Sequence, residues 1–227
     1  MLMRPFLDMQ FGERIITLMA ALVLVLQIAV VAQRWIVTHI RIFAIQSFLL
    51  AMIAATIAWF NHAPHIYIAA GLTLVVKVIL VPIFLERLVV RMDIREEIKP
   101  IINVPLSVVI SGGLTLLGYV VAESFYKPDE PPGLGHNELA VAISLFLIGF
   151  FTMINRRKAL TQVLALLSLE NGLFLAAISL TYGMPLIVEL GILFDVLVAA
   201  MVLGILIYRI RETFESMDVS RLRRLRG

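Results

Sequence analysis

Four ionisable residues lie inside stretches otherwise apolar enough to face lipid: Lys77, Glu170, Glu189 and Asp195. A charge at the centre of a spanning helix costs about 2.5 to 3.5 kcal/mol on insertion scales, so such residues turn to a bundle interior, pair, or handle ions. A carboxyl near a lysine in low dielectric can exchange a proton when a neighbouring charge moves, because desolvation and pairing act on it in opposite directions. The three acids fall in the last two long apolar stretches, Ala159 to Tyr182 and Pro185 to Tyr208. A turn around Gly183, Met184 and Pro185 should close these into a hairpin, glycine ending one helix and proline starting the next. Glu170 lies 13 residues before Gly183 and Asp195 12 after it, which sets both about 18 to 20 Å below the turn. Glu189 is roughly 9 Å nearer the turn than Asp195 and about 120° away around the helix. Lys77, 11 residues after Ile66, reaches a depth of about 16 Å. It is level with Glu170 and Asp195. Pro82 removes the donor for the carbonyl of Val78, which predicts a kink and a polar group for water beside Lys77. The plainer reading is a buried ion pair or hydrogen-bonded carboxyls that serve assembly only. The other spans hold few polar side chains, so a complete path across the bilayer through this chain alone is not expected.

The elements that carry these residues follow from composition. The chain has 227 residues, 61% hydrophobic and 15% charged, with a mean hydropathy of +0.99, far more apolar than an ordinary soluble domain. This implies an all-α polytopic membrane protein. Seven apolar stretches are long enough to cross roughly 30 Å of hydrocarbon. They run Ile15 to Gln33, Ile42 to Phe60, Ile66 to Val90, Ile101 to Ala122, Leu139 to Ile154, Ala159 to Tyr182 and Pro185 to Tyr208. With the N-terminus outside, the outer segments hold only Arg4, Arg14 and Lys127. The inner ones then hold Arg34 and Arg41, Arg87 to Lys99, Arg156 to Lys158, and the arginines of the tail. That asymmetry predicts N-out and C-in and accounts for the net charge of +3 without nucleic acid. Lys127 to Gly135 is a turn-rich outer loop. Glu86 to Lys99 alternates acids and bases, as a short interfacial helix or an extension of the third span would. Met1 to Arg14 has no small-residue cleavage site, so a removable signal peptide is not expected. The organisation expected is an N-terminal four-helix region, 1–138, and a three-helix region with a tail, 139–227.

The chain has no cysteine, which excludes disulfides, thiolate metal sites and cysteine-held iron–sulfur clusters within it. His39, His62, His65 and His136 fall in or beside expected loops; His62 and His65 are three apart, a weak metal pair lacking a third ligand. Arg156, Arg157 and Lys158 have the composition of an inner-face anchor, and the tail from Arg211 to Gly227 that of a segment lying on lipid or on a neighbouring protein. No phosphate loop, dinucleotide fingerprint or nucleophile elbow is present. No cofactor and no resident metal are expected.

Leu169-Glu170-Asn171-Gly172, Leu186 to Gly191 followed by Asp195, Lys77 to Pro82, and the ending Met217-Asp218-Val219-Ser220 to Arg226-Gly227 together resemble hydrogenase-4 component E. That family supplies a membrane subunit of group 4 [NiFe] hydrogenase and formate hydrogenlyase-type complexes. The last three spans are also similar to subunit K of NADH-quinone oxidoreductase, whose basic pair looks like Arg156 and Arg157 and whose membrane acids look like Glu170 and Asp195. The chain departs from that pattern in having aspartate as the second acid and in carrying Glu189. The resemblance implies a non-redox subunit of a prokaryotic inner membrane, coupling electron transfer to proton or sodium movement. It implies antiporter-like chains, an H-type quinone oxidoreductase chain and a peripheral [NiFe] or dehydrogenase module as partners. In this reading Glu170 and Asp195 are the mid-membrane acids, Glu189 a second carboxyl towards the outside, and Lys77 their basic partner. A purely structural scaffold and a free-standing small transporter are the alternatives. A retinal photoreceptor is disfavoured, because its lysine belongs in the last helix and Lys77 is in the third.

Overall fold

The computed structural model describes residues 3–91, 100–125, 136–157 and 159–181, all within one unit, Met1–Glu189. They form helices α1 (Met3–Ala32), α2 (Ile36–Phe60), α3 (Pro64–Thr73), a π-helical segment (Leu74–Leu80), α4 (Val81–Arg91), α5 (Val104–Glu123), α6 (His136–Asn155) and α7 (Ala159–Thr181). The α3, π and α4 pieces run on as one rod, so the described helices make six stretches long and apolar enough to cross a membrane. Among the described residues there is no strand, only an isolated bridge between Pro100 and Arg156. The expected seventh span, Pro185 to Tyr208, lies outside the described residues. So do the outer loop and most of Glu86 to Lys99; the third span extends to Arg91.

Small residues at close helix approaches and internal polar contacts hold these helices together. On α6 a Cβ added at Gly149 would meet Leu169 Cα at 2.8 Å, and on α7 one added at Gly172 would meet Phe146 N at 2.8 Å. Only glycine lets the two backbones approach this closely, and the two contacts set α6 and α7 antiparallel in a fixed register. Gly118 of α5 does the same against Ser144 of α6, where an added Cβ would lie 2.9 Å from the Ser144 backbone nitrogen. Around this seam Ile16, Ala20 and Val23 of α1, Leu50, Ile53 and Ala54 of α2, Ile66 and Ala70 of α3, and Leu145 and Leu175 form one apolar cluster.

Local sequence explains the helix ends and the lone hydroxyls. The Asn103 side chain caps α5 by accepting from Leu106 N at 3.0 Å, with Pro105 in the first turn where a missing N–H costs nothing. Ser111, Thr152, Ser168 and Ser179 each donate to the carbonyl four residues back, at 2.7 to 3.1 Å, so a hydroxyl can be buried in an apolar helix without an unmet bond. The irregularity expected at Pro82 takes the form of the π segment just before it, where Val81 N–H donates to Val76 O, five residues back. A widened turn of this kind is intrinsically less favourable than α and is held by its surroundings. Lys77 sits at its middle.

Candidate functional site

Along α7, Leu167 to Gly172 are six consecutive buried residues, more than one and a half turns, so at this level the helix is enclosed on every side. Glu170 and Asn171 are in that stretch. Helices α6 and α2 both pack against it. Lys77 reaches across from the π segment, and its Nζ lies 2.8 Å from Glu170 Oε1. The lysine is 1% exposed and the glutamate 3%, which makes this a desolvated pair. At that distance and an effective dielectric near 20 the attraction is about 6 kcal/mol, set against several kcal/mol to desolvate each ion. The equal depth read from residue counts is therefore met by Lys77 and Glu170 as direct contact.

The pair does not stand alone. Lys77 Nζ is also 3.5 Å from Asn171 Oδ1 and lies 5.5 Å from the centroid of the Phe174 ring. Asn171 Nδ2 donates to Gln46 Oε1 at 3.1 Å and to Ser47 Oγ at 3.3 Å on α2. Gln46 Nε2 donates in turn to Gln27 Oε1 at 2.9 Å and to Val23 O at 3.4 Å on α1. All of these side chains but Phe174 are buried. One acid, one lysine and three amides thus form a polar seam across four spans at one level. The other spans hold few polar side chains, and Gln27 and Gln46 are among those few. Gln27 and Gln46 are visible in the sequence as amides inside apolar runs, and that is the signal that marks them.

Glu189 and Asp195 lie outside the described residues. A carboxylate that residue counting passed over is Glu138, 2% exposed, which accepts from Thr17 Oγ1 at 3.0 Å. It begins α6, 11 residues before Gly149, hence about 16 Å along the bundle from the level of Glu170.

Two expectations are revised. His39 is not beside a loop but within the first turns of α2, fully buried. Arg156 is not a surface anchor: it is 1% exposed, and its Nη2 donates to Val31 O at 2.9 Å and Gln33 O at 3.4 Å. It closes off carbonyls at the end of α1, where a helix has no donors of its own and favours a cation. Burial pushes its pKa below the ordinary arginine value. Arg157 beside it is exposed. His62 occupies the turn between α2 and α3 with φ 50°, and no group of three or more possible metal ligands occurs among the described residues.

The chain is 26% identical over 216 residues to hydrogenase-4 component E of Escherichia coli K12, covering 95% of this chain and 99% of that one, with the same figures for the Shigella flexneri protein. The chain is a hydrogenase-4 component E homologue. It belongs to one family with a Mycobacterium tuberculosis protein described as uncharacterized protein Rv0085, 36% identical over 161 residues, 70% of this chain and 72% of the relative. Residues 138–227 match the family of NADH-ubiquinone/plastoquinone oxidoreductase chain 4L. No solved structure matches the chain. As a component E homologue with six described helices fit to cross a bilayer, it is a multi-pass membrane protein. The chain 4L-like part holds Glu170 and Asn171, and the part before it holds Lys77, Gln46 and Gln27, so the polar seam joins the two.

Proposed function

We propose that this component E homologue is a non-redox membrane subunit of a complex I-like hydrogenase or dehydrogenase, where it couples electron transfer to proton or sodium translocation. The observation that carries the reading is the buried Lys77–Glu170 pair at 2.8 Å. A closed ion pair in low dielectric stores an electrostatic interaction that a neighbouring charge can open, and opening it frees a carboxylate to take an ion. Similarity to hydrogenase-4 component E and to chain 4L supports a place among membrane subunits of such a complex. Glu170 and Asp195 act as the mid-membrane acids, Glu189 as a further carboxyl towards the outside, and Lys77 as the basic partner. The four-helix region 1–138 supplies the lysine, and the region 139–227 supplies the acids. The chain lies in a prokaryotic inner membrane with N-out and C-in. Antiporter-like chains and an H-type quinone oxidoreductase chain are its membrane neighbours, and a peripheral [NiFe] or dehydrogenase module delivers the electrons.

The test is Glu170→Gln in the complex purified and reconstituted in vesicles. Assembly and electron transfer with ion movement lost is the expected result, and unchanged ion movement per electron pair would overturn the reading. One observation favours a second reading, a scaffold. The pair is dry and hydrogen-bonded into four helices, as a structural clasp would be. Loss of assembly in Glu170→Gln, with normal coupling in the complex that remains, would select it.

A further inference from the structure

A line of buried hydrogen-bonding groups follows α1 and α2 from the polar seam to the end of the bundle where α1 stops. Among the described residues, nothing accepts from Gln27 Nε2, nothing bonds either ring nitrogen of His39, and nothing accepts from Nε or Nη1 of Arg156. Gln27 and His39 are fully buried and Arg156 nearly so. Buried polar atoms that find no partner in the protein are met by ordered water. We propose that a file of water lies between α1 and α2 along these groups, an inner-side passage by which protons reach the polar seam, with His39 as the side chain that holds the file together. This rests on the reading of Glu170 as an ion-accepting carboxylate in an N-out, C-in chain.

The helices place these groups in order. A three-residue connection joins Ala32 to Ile36, so α1 and α2 run antiparallel side by side. On α2, His39 is seven residues before Gln46, two turns along one face and about 10 Å nearer the inner end. On α1, Gln27 is four residues before Val31, one turn on one face, and Val31 O accepts from Arg156 Nη2 at 2.9 Å. Arg156 is near enough for its charge to act on His39. The line therefore begins with Arg156 and His39. It ends at the Gln27–Gln46 hydrogen bond, 2.9 Å long, which leads on through Asn171 to Lys77 and Glu170. Two or three waters spaced about 2.8 Å apart span the gap once side-chain reach is allowed for. An imidazole can accept at one nitrogen and donate at the other, which keeps such a file continuous. A proton added to the water at the mouth moves inward by bond shifts, each water or imidazole taking one proton and releasing another. The Arg156 guanidinium at the mouth holds back free cations, which a coupled site requires between turnovers.

X-ray footprinting of the complex purified from native membrane tests this, because a brief pulse turns bound water into hydroxyl radicals that mark the side chains beside it. Marks are expected at His39 and at Phe43, one turn further along α2, although both are fully buried, and none at Leu50 and Ile53, equally buried in the apolar cluster. In His39→Leu the mark at Phe43 should be lost and ion movement per electron pair should fall. His39→Gln keeps a donor and an acceptor and should retain both. Loss of stability in both variants with an unchanged mark at Phe43 would make His39 structural and overturn its role. The wild-type marks carry the test if His39→Leu does not assemble. Unmarked His39 and Phe43 in the wild type would overturn the proposal and leave the Glu170 reading standing. Marked residues together with full ion movement in Glu170→Gln would overturn that reading, and with it the use of the water file as a proton route.

Discussion

Replacing Lys77 by methionine strands Glu170 in a site where it is 3% exposed, and the cost of that has a ceiling. A buried ion that loses its partner can be neutralised, so the full cost of desolvating it is not met. The opposite change, Glu170→Gln, removes the anion 2.8 Å from the buried ammonium of Lys77. Asn171 Oδ1, already 3.5 Å from Nζ, offsets part of this. Each single substitution is therefore expected to destabilise the bundle by about 2 to 4 kcal/mol, in line with broken buried pairs elsewhere. In the double variant, Lys77→Met with Glu170→Gln, neither charge remains, and the loss should be smaller than that of either single change. A double-mutant cycle on the purified chain in mixed micelles, with unfolding followed by circular dichroism during denaturing-detergent titration, measures the coupling. A coupling larger than either single loss, hence above about 2 to 4 kcal/mol, is expected. Additivity within about 0.5 kcal/mol would refute the claim that the two charges hold each other in the membrane.

Gly149→Ala and Gly172→Ala should each cost about 1 to 3 kcal/mol by overpacking, because their added Cβ atoms meet backbone at 2.8 Å; wild-type thermal stability in either would contradict the α6–α7 register. Asn155→Ala removes an acceptor for Ile102 N at 2.8 Å and a donor to Ser107 Oγ at 3.0 Å. Faster hydrogen exchange confined to the start of α5, with a stability loss of about 1 to 3 kcal/mol, is the expected outcome. Glu86→Gln breaks a 3.6 Å pair with Arg41, both well exposed; being solvent-screened, it should change stability by less than about 1 kcal/mol. A larger loss would show that the pair is covered in the assembled protein.

The parts of this site legible in the sequence are those whose cost in lipid is high. Lys77 and Glu170 stand out because a charge in an apolar run needs a reason, and counting rise per residue was enough to place them at one depth. Gln27, Gln46 and Asn171 cost less; the sequence shows them as amides in apolar runs, but not that they meet one another. That they meet follows from how α1, α2 and α7 pack, which is a tertiary fact. Pro82 announced an irregular helix but not its form, since a missing donor can be met by a kink or by a π turn and the neighbours decide. Arg156 shows the same limit. A basic run between spans reads as an anchor, and only the nearby end of α1, with Val31 and Gln33 carbonyls to satisfy, draws one of its members inside.

The central claim is that Glu170 is an ion-accepting group and not a clasp. The most direct measurement is the number of ions moved per electron pair by the reconstituted complex carrying Glu170→Gln, against the wild-type complex in the same vesicles. Intact assembly and electron transfer with ion movement reduced by about tenfold or more is expected; full ion movement per electron pair would show that Glu170 is a clasp only.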